Sequence, residues 1–512
     1  MNNTSKLIST YNWFADIFIS VRNIKGNYNI KYGVVRHIYK VLIKVIRFNS
    51  FFHLDYLNAL FLIVFIEINT KIWKKRLGID SKNKRLKVLA FNREGFWKDL
   101  VEIDKRTDLD VIYFPQAIYT FYANAFLPGK LQSQLAYHVK DSSRIIKSIW
   151  IRNEIGKNII NEKTDYIYKQ NLRESIRRIF DILHKTLGFD AILSSHIQYY
   201  QDQEWINVAE ERGTPFVVLV KEGYGNKDQC QAQLIALAEL EFKFHGALIG
   251  THCATLKEMF LKAGVVDSAE KIIVTGAART DAIMGHFVGY GDKPKVPDIV
   301  NNEEWIVFFD FFHFHNMALI DSYIDLQVLW EETLAVLVKL SGYKEGRNVK
   351  IIAKTKLDVN TIALNTYLKN KYGSNTELIV DDKLEFGEIA QKASMIVGFR
   401  TTALIEFMGM DVPIVILNWA EAEKNSDVAM FTDKNNKAYL MANSKNEFEN
   451  IIKKHLENKV VIINEKKIRD QRVARDKIIN DHLYIIDGKR SEFISNMIKK
   501  AVDKHKMLKG VQ

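Results

Sequence analysis

The sequence predicts an α/β chain in which two parallel-sheet domains follow one another and face a shared cleft, behind an N-terminal helical extension. From Arg85 onward, short β-rich runs alternate with helical patterns. A glycine- and proline-bearing stretch at 285–298 interrupts that alternation once. The charge of the first 80 residues also differs from that of the remainder. Strand–helix alternation favours right-handed βαβ units and hence parallel sheets. An interruption rich in turn-forming residues marks a linker between two such sets.

The N-terminal region, residues 1–84, reads as basic and helical. In residues 1–80 twelve Lys and Arg stand against four Asp and Glu, a net +8 within a chain total of +12. The body is therefore nearly balanced, which argues against a nucleic-acid partner. Residues 34–48 (VVRHIYKVLIKVIRF) predict a helix with Arg36, Lys40, Lys44 and Arg47 at spacings of four, four and three. That spacing draws a basic stripe along an apolar cylinder. Such a helix suits either an anionic headgroup layer or a protein body with one solvated side. The cluster Lys71, Lys74, Lys75 and Arg76 favours the membrane surface. The run Leu57–Ile66 is interrupted by Asn58 and closed by Glu67, and it falls short of the roughly 20 apolar residues a bilayer span needs. No signal-peptide pattern opens the sequence. The expected location is cytoplasmic, peripheral on the inner face of the cell membrane.

Residues 85–285 carry the first α/β set, with strands expected at 86–92, 109–114, 191–195, 215–220, 247–250 and 271–276. Residues 286–512 carry the second, with strands at 305–311, 349–355, 376–381, 394–399 and 413–418 and a basic helical tail from Ser444. The 512 residues, 47% of them hydrophobic, are ample for two packed cores. Cys230 and Cys253 are the two cysteines and lack metal-ligand spacing, so neither a zinc site nor a disulfide framework is expected. His313 and His315 stand two apart without a further ligand, and no metal is expected there. P-loop, G-x-G-x-x-G and G-x-S-x-G patterns are absent, which removes kinase-like, dehydrogenase-like and esterase-like readings.

The segment ASMIVGFRTTALIEFMGMDVPIVIL (393–417) carries the clearest chemistry. A buried strand ends at Gly398, a turn follows, and Thr401 and Thr402 stand where a helix should begin. Threonine suits a helix N-cap, and free N–H groups at a helix start suit a phosphate. Glu406, about one turn on, could accept hydrogen bonds from a ribose. An ordinary capped helix with a surface acid is the alternative.

This segment resembles GT-B fold glycosyltransferases and CDP-glycerol glycerophosphotransferase-like enzymes of surface carbohydrate biosynthesis. The same resemblance extends to the strand KIIAKTK (350–356), to Val274-Thr275-Gly276-Ala277-Ala278-Arg279-Thr280-Asp281, and to DGKRSEFISNMI (487–498), in the family's order along about residues 190–500. It implies a GT-B-like pair of Rossmann-type domains, the first for the acceptor and the second for the donor. Donor-binding candidates are Gly398, Thr401, Thr402, Glu406, Lys354, Lys356, Arg279 and Gly276. The sequence departs from the family where a His-Pro pair is common, at Lys354-Thr355-Lys356, and where a His-Gly pair is common, at Glu222-Gly223. Glu222, His196 and Glu94 each follow a first-domain strand and are the candidates for a catalytic base. The implied activity is transfer from a nucleotide-activated sugar or polyol to a glycan or lipid-linked acceptor in capsule, lipopolysaccharide or teichoic-type synthesis. No E-x7-E pattern ends at Glu406, which favours inversion. No cofactor is expected beyond the nucleotide-activated substrate. A nucleotide-sugar 2-epimerase of the same fold and a non-catalytic glycan- or lipid-binding scaffold are the alternatives.

The basic region has a direct test. The full chain should bind anionic vesicles and lose that binding as salt rises. Removing residues 1–80 should abolish it, and undiminished binding by the truncated chain would refute the membrane assignment.

Overall fold

The computed structural model describes residues 54–81, 84–93, 96–126, 162–197, 200–220, 242–284, 304–310, 324–343, 349–355, 358–374, 376–384, 386–399, 401–410, 412–421, 436–457 and 465–510, with Ile46, Asn49, Ala238 and Phe431. Two six-stranded, all-parallel sheets form the frame.

The first sheet contains β1 (Leu86–Asn92), β2 (Leu109–Pro115), β3 (Ala191–Ser194), β4 (Phe216–Leu219), β5 (Leu248–Thr251) and β6 (Ile272–Val274), in the order β2-β1-β3-β4-β5-β6. Helices cover both faces, so its strands read as nearly unbroken apolar runs rather than alternating ones. The helices of this part are α1 (Asp55–Leu77), α2 (Trp97–Arg106), α3 (Gln116–Asn124), α4 (Glu162–Leu187), α5 (Tyr200–Glu211), α6 (Ala254–Lys262) and α7 (Thr280–Met284).

In the second sheet stand β7 (Glu304–Phe309), β8 (Val349–Lys354), β9 (Ile379–Asp381), β10 (Ala393–Gly398), β11 (Ile414–Leu417) and β12 (Leu440–Ala442), in the order β12-β11-β10-β7-β8-β9. Its helices are α8 (Ile324–Ser341), α9 (Asp358–Tyr372), α10 (Phe386–Lys392), α11 (Ala403–Glu406), α12 (Lys445–Leu456) and α13 (Glu465–Leu483), and α14 (Arg490–Gly510) follows them. β12 is an addition to the sequence expectation. Three residues in a polar neighbourhood give too little periodicity to register as a strand.

α1 closes an open sheet edge. Asn69 Nδ2 donates to the Tyr113 carbonyl at 3.1 Å, and the Tyr113 N–H donates to Thr70 Oγ1 at 2.9 Å. These bonds satisfy edge groups of β2 that would otherwise invite another strand. Leu62, Ile63 and Ile66 fill the core beneath, while Asp55 accepts from Arg178 Nε at 2.5 Å and from Ser175 Oγ at 3.0 Å. By length and composition α1 could cross a membrane, a departure from the sequence reading, which stopped the apolar run at Glu67. The stripe Arg36, Lys40, Lys44 and Arg47 lies outside the described residues.

The chain ends by returning to its first sheet. Ile494, Met497, Ile498, Ala501 and Val502 of α14 pack with Val88, Ala90, Val111 and Tyr113. Asp281 of the first domain caps this helix, its carboxylate accepting from the backbone N–H groups of Arg490 at 3.0 Å and Ser491 at 2.6 Å. A carboxylate there also meets the positive end of a 21-residue helix. Arg490 pairs with Asp487 at 2.5 Å. Gly276 has φ +70, and a Cβ there would lie 2.8 Å from Arg490 Cδ and 3.1 Å from the Leu483 carbonyl oxygen. Gly276, expected at the donor site, is therefore roofed by the returning chain. Its glycine is required by that close approach and by its left-handed backbone.

Asp281→Ala should lower the unfolding free energy by about 2 kcal/mol, because two buried N–H groups lose their acceptor. Urea unfolding of the full chain reads this directly, and an unchanged midpoint would show that the cap contributes nothing.

Candidate functional site

In open parallel sheets ligands bind beyond the strands' carboxyl ends, where the strand order reverses. The second sheet reverses between β7 and β10, and the first between β1 and β3. Register aligns Gly398 with Phe309 and Phe309 with Lys354, so three strands end at one level. Beyond β7, buried Asp310 accepts from Trp330 Nε1 at 2.9 Å.

Beyond β10 the chain turns through Thr401 and Thr402 into α11, as the sequence predicts for a helix start. The cap differs in detail. Thr402 already has helical angles (φ −63, ψ −20) and makes no capping bond, whereas Thr401 Oγ1 accepts from the Ala403 N–H at 3.3 Å. α11 has four residues and runs into a 3-10 turn at Phe407–Gly409. A single turn has little dipole, so an anion here would rely on local N–H groups and hydroxyls. Gly398 has no positive φ. A Cβ on it would meet Leu404 Cδ2 at 3.3 Å, so the glycine lets α11 fold back close over the strand end.

Two cations predicted for the donor site, Lys354 and Arg279, have partners within the chain. Lys354 Nζ donates to the carbonyls of Thr355 at 2.9 Å and Asp382 at 2.6 Å, tying β8 to the turn after β9. Arg279 is held by carboxylates of both domains. Its Nη1 meets Asp99 Oδ2 at 2.9 Å and its Nε meets Glu406 Oε1 at 2.7 Å. The Arg279 N–H also donates to Asp99 Oδ1 at 2.9 Å. Burial opposes the guanidinium charge, but Asp99 and Glu406 outweigh it and hold the group protonated. The Arg279 guanidinium is thus engaged on both sides, by Asp99 of the first domain and Glu406 of the second. Lys356 lies outside the described residues.

His252, just beyond β5, joins this group. It is fully buried and its Nδ1 has no hydrogen-bond partner among the described residues. Burial, then the charge of Arg279, pull its pKa down to about 3 against the attraction of Asp99. It is a neutral imidazole at physiological pH. Asp99 and His252 escaped the sequence reading. Asp99 looks like a routine first-turn acid of α2, and His252 is a lone His after an apolar strand; the one usable signal was position beyond a strand's carboxyl end.

At the first sheet's reversal, His196 is buried beyond β3. Ser194 Oγ donates to Asp202 Oδ2 at 2.5 Å. Asp202 is fully buried and its pKa rises to about 6, driven by burial against Arg93 and the Ser194 bond. Glu94 and Glu222 lie outside the described residues. No group of three or more His, Cys, Asp or Glu able to hold a metal occurs among the described residues.

No protein-family model and no curated protein matches the sequence. Solved structures of similar fold include MnaA of S. aureus in a co-structure with UDP, at 12% identity, covering 82% of this chain and 97% of that one with a TM-score of 0.43. The UDP-GlcNAc 2-epimerase of Neisseria meningitidis bound to UDP-GlcNAc is 12% identical, covering 81% and 100%, with a TM-score of 0.43. The wall teichoic acid polymerase TagF is 9% identical, covering 89% and 98%, with a TM-score of 0.40.

Asp202 gives a pH prediction. Its folded pKa lies above the usual carboxylate value, so its contribution to stability is full below about pH 4 and lost as pH rises through about 6. Asp202→Asn should therefore stabilise the chain above pH 6, by on the order of 3 kcal/mol, and the gain should vanish towards pH 4. Equal stabilisation at both pH values would refute a charged, desolvated Asp202.

Proposed function

We propose that this chain is a GT-B-like transferase that moves a glycosyl or polyol-phosphate group from a nucleotide-activated donor to a glycan or lipid-linked acceptor, in the synthesis of bacterial surface polysaccharide. The observation that carries the reading is the turn Gly398–Glu406 at the second sheet's strand-order reversal, with Glu406 meeting the first domain through Arg279. A cleft at that place would receive a donor on one side and an acceptor on the other.

In this reading the N–H groups and hydroxyls at Thr401 and Thr402 hold the donor phosphates, and Glu406 accepts from the ribose hydroxyls. A base on the first domain, among Glu222, His196 and Glu94, removes the proton from the acceptor hydroxyl. That oxygen attacks the donor carbon with inversion, or the phosphorus of a polyol donor, and the nucleotide phosphate leaves with its charge met by aligned donors. α1 exposes Ile72 beside Lys71, Lys75 and Arg76 in its last turns, and Tyr56 and Leu57 in its first turn. An apolar and basic surface of that kind suits the cytoplasmic side of an anionic membrane, where a lipid-linked acceptor would be met.

A thermal-shift screen against CMP-, CDP-, UDP- and GDP-linked compounds should find a donor that raises the melting temperature. Thr402→Val should weaken that donor by about 1–3 kcal/mol, the value of a hydrogen bond to a charged group. Glu406→Ala should weaken the free nucleotide as well as its conjugate. Parent-like binding by both variants would place the site elsewhere. Acceptor-independent conversion of a nucleotide sugar to its 2-epimer would replace transfer with epimerisation.

A further inference from the structure

The carboxylate proposed to receive the ribose is closed off. Glu406 is 4% exposed, and its Oε1 is held at 2.7 Å by Arg279 from the opposite domain. A ribose cannot reach a carboxylate so buried while that contact stands. The contact must open first, and the bonds around Arg279 decide how.

Two bonds hold Arg279 to Asp99, one from its backbone N–H and one from Nη1, and both partners belong to the first domain. Among the described residues one bond, from Nε, crosses to Glu406. The crossing bond is the weaker side of an unequal division. If it breaks, the guanidinium keeps a buried counter-ion and no cation is stranded. Neutral His252 beside it adds no competing positive charge.

From this geometry, and resting on the reading of Glu406 as ribose acceptor, we propose that Arg279 is a donor-displaceable clasp between the domains. The empty protein is held shut by Arg279 on Glu406. A nucleotide binds by taking Glu406, and Arg279 withdraws with Asp99 into the first domain. Donor occupancy is thereby coupled to release of the interdomain contact, and only a ligand that takes Glu406 competes with Arg279 and gains affinity when the clasp is removed.

The test compares Arg279→Met with the parent. Because Asp99 is buried and would lose its cation, the double variant Asp99→Asn, Arg279→Met is measured beside it, leaving Asp99 uncharged. The probes are CDP, UDP and GDP, each with its 2′,3′-dideoxy counterpart, and inorganic diphosphate. The clasp predicts that the nucleotide bound by the parent binds either variant about ten-fold more tightly, with no gain for its dideoxy counterpart or for diphosphate. Weaker nucleotide binding would overturn the clasp by showing that the guanidinium holds the ligand. An unchanged affinity, or an equal gain for the dideoxy compound, would overturn it as well. If the parent binds none of the three nucleotides, the donor reading itself fails and the clasp falls with it. If the parent binds one and Glu406→Ala weakens it while the Arg279 variants match the parent, the clasp alone is wrong.

Discussion

Arg279, one guanidinium shared by Asp99 on the first domain and Glu406 on the second, is the interaction on which the relation of the two sheets depends. Removing three charges from water is expensive, and a buried pair seldom repays that in net stability. What it supplies is geometry. Only a narrow range of domain placements lets both carboxylates reach one planar donor, so the bridge selects among orientations that apolar packing would tolerate. Ala277 and Ala278 beside it add little specificity. One packs into the second domain's core and the other into the first's.

That joint explains why two motifs far apart in sequence belong together. Val274–Asp281 and DGKRSEFISNMI (487–498) are separate pieces of the family resemblance in the sequence. In the structure they touch, with Asp281 capping α14 and the Arg490 side chain lying against Gly276. Gly276, Asp281 and Arg490 therefore serve the return of the chain. A spacing pattern reports that residues are constrained and leaves open whether a ligand or a neighbouring segment constrains them.

The architecture was legible because strands buried on both faces must be continuously apolar, and such runs as LKVLAFN (86–92) and ASMIVG (393–398) stand out between helical patterns. The turn after β10 was legible for a similar reason, since Gly398 and two threonines can do little else at a strand end. The partners of charged side chains were not. Nothing local to Arg279 announces Asp99, 180 positions away, or Glu406, 127 positions away. Likewise Asp202 and His252 look unremarkable in sequence, because their properties come from burial, a tertiary quantity.

The joint also stands close to a crossing of the chain between the domains. The chain passes from α13 to α14 with Gly488, at φ +73, between them. The Asp281 cap and the Arg490–Asp487 pair fasten this crossing to the first domain. α14 is packed into the first core and α13 into the second, so the segment between them, held by this cap, is a junction of the two domains. The fastening that roofs Gly276 stands at that junction, a few positions from the Arg279 contact that crosses to Glu406. One cluster near residue 280 thus ties both the returning chain and the second domain to the first sheet.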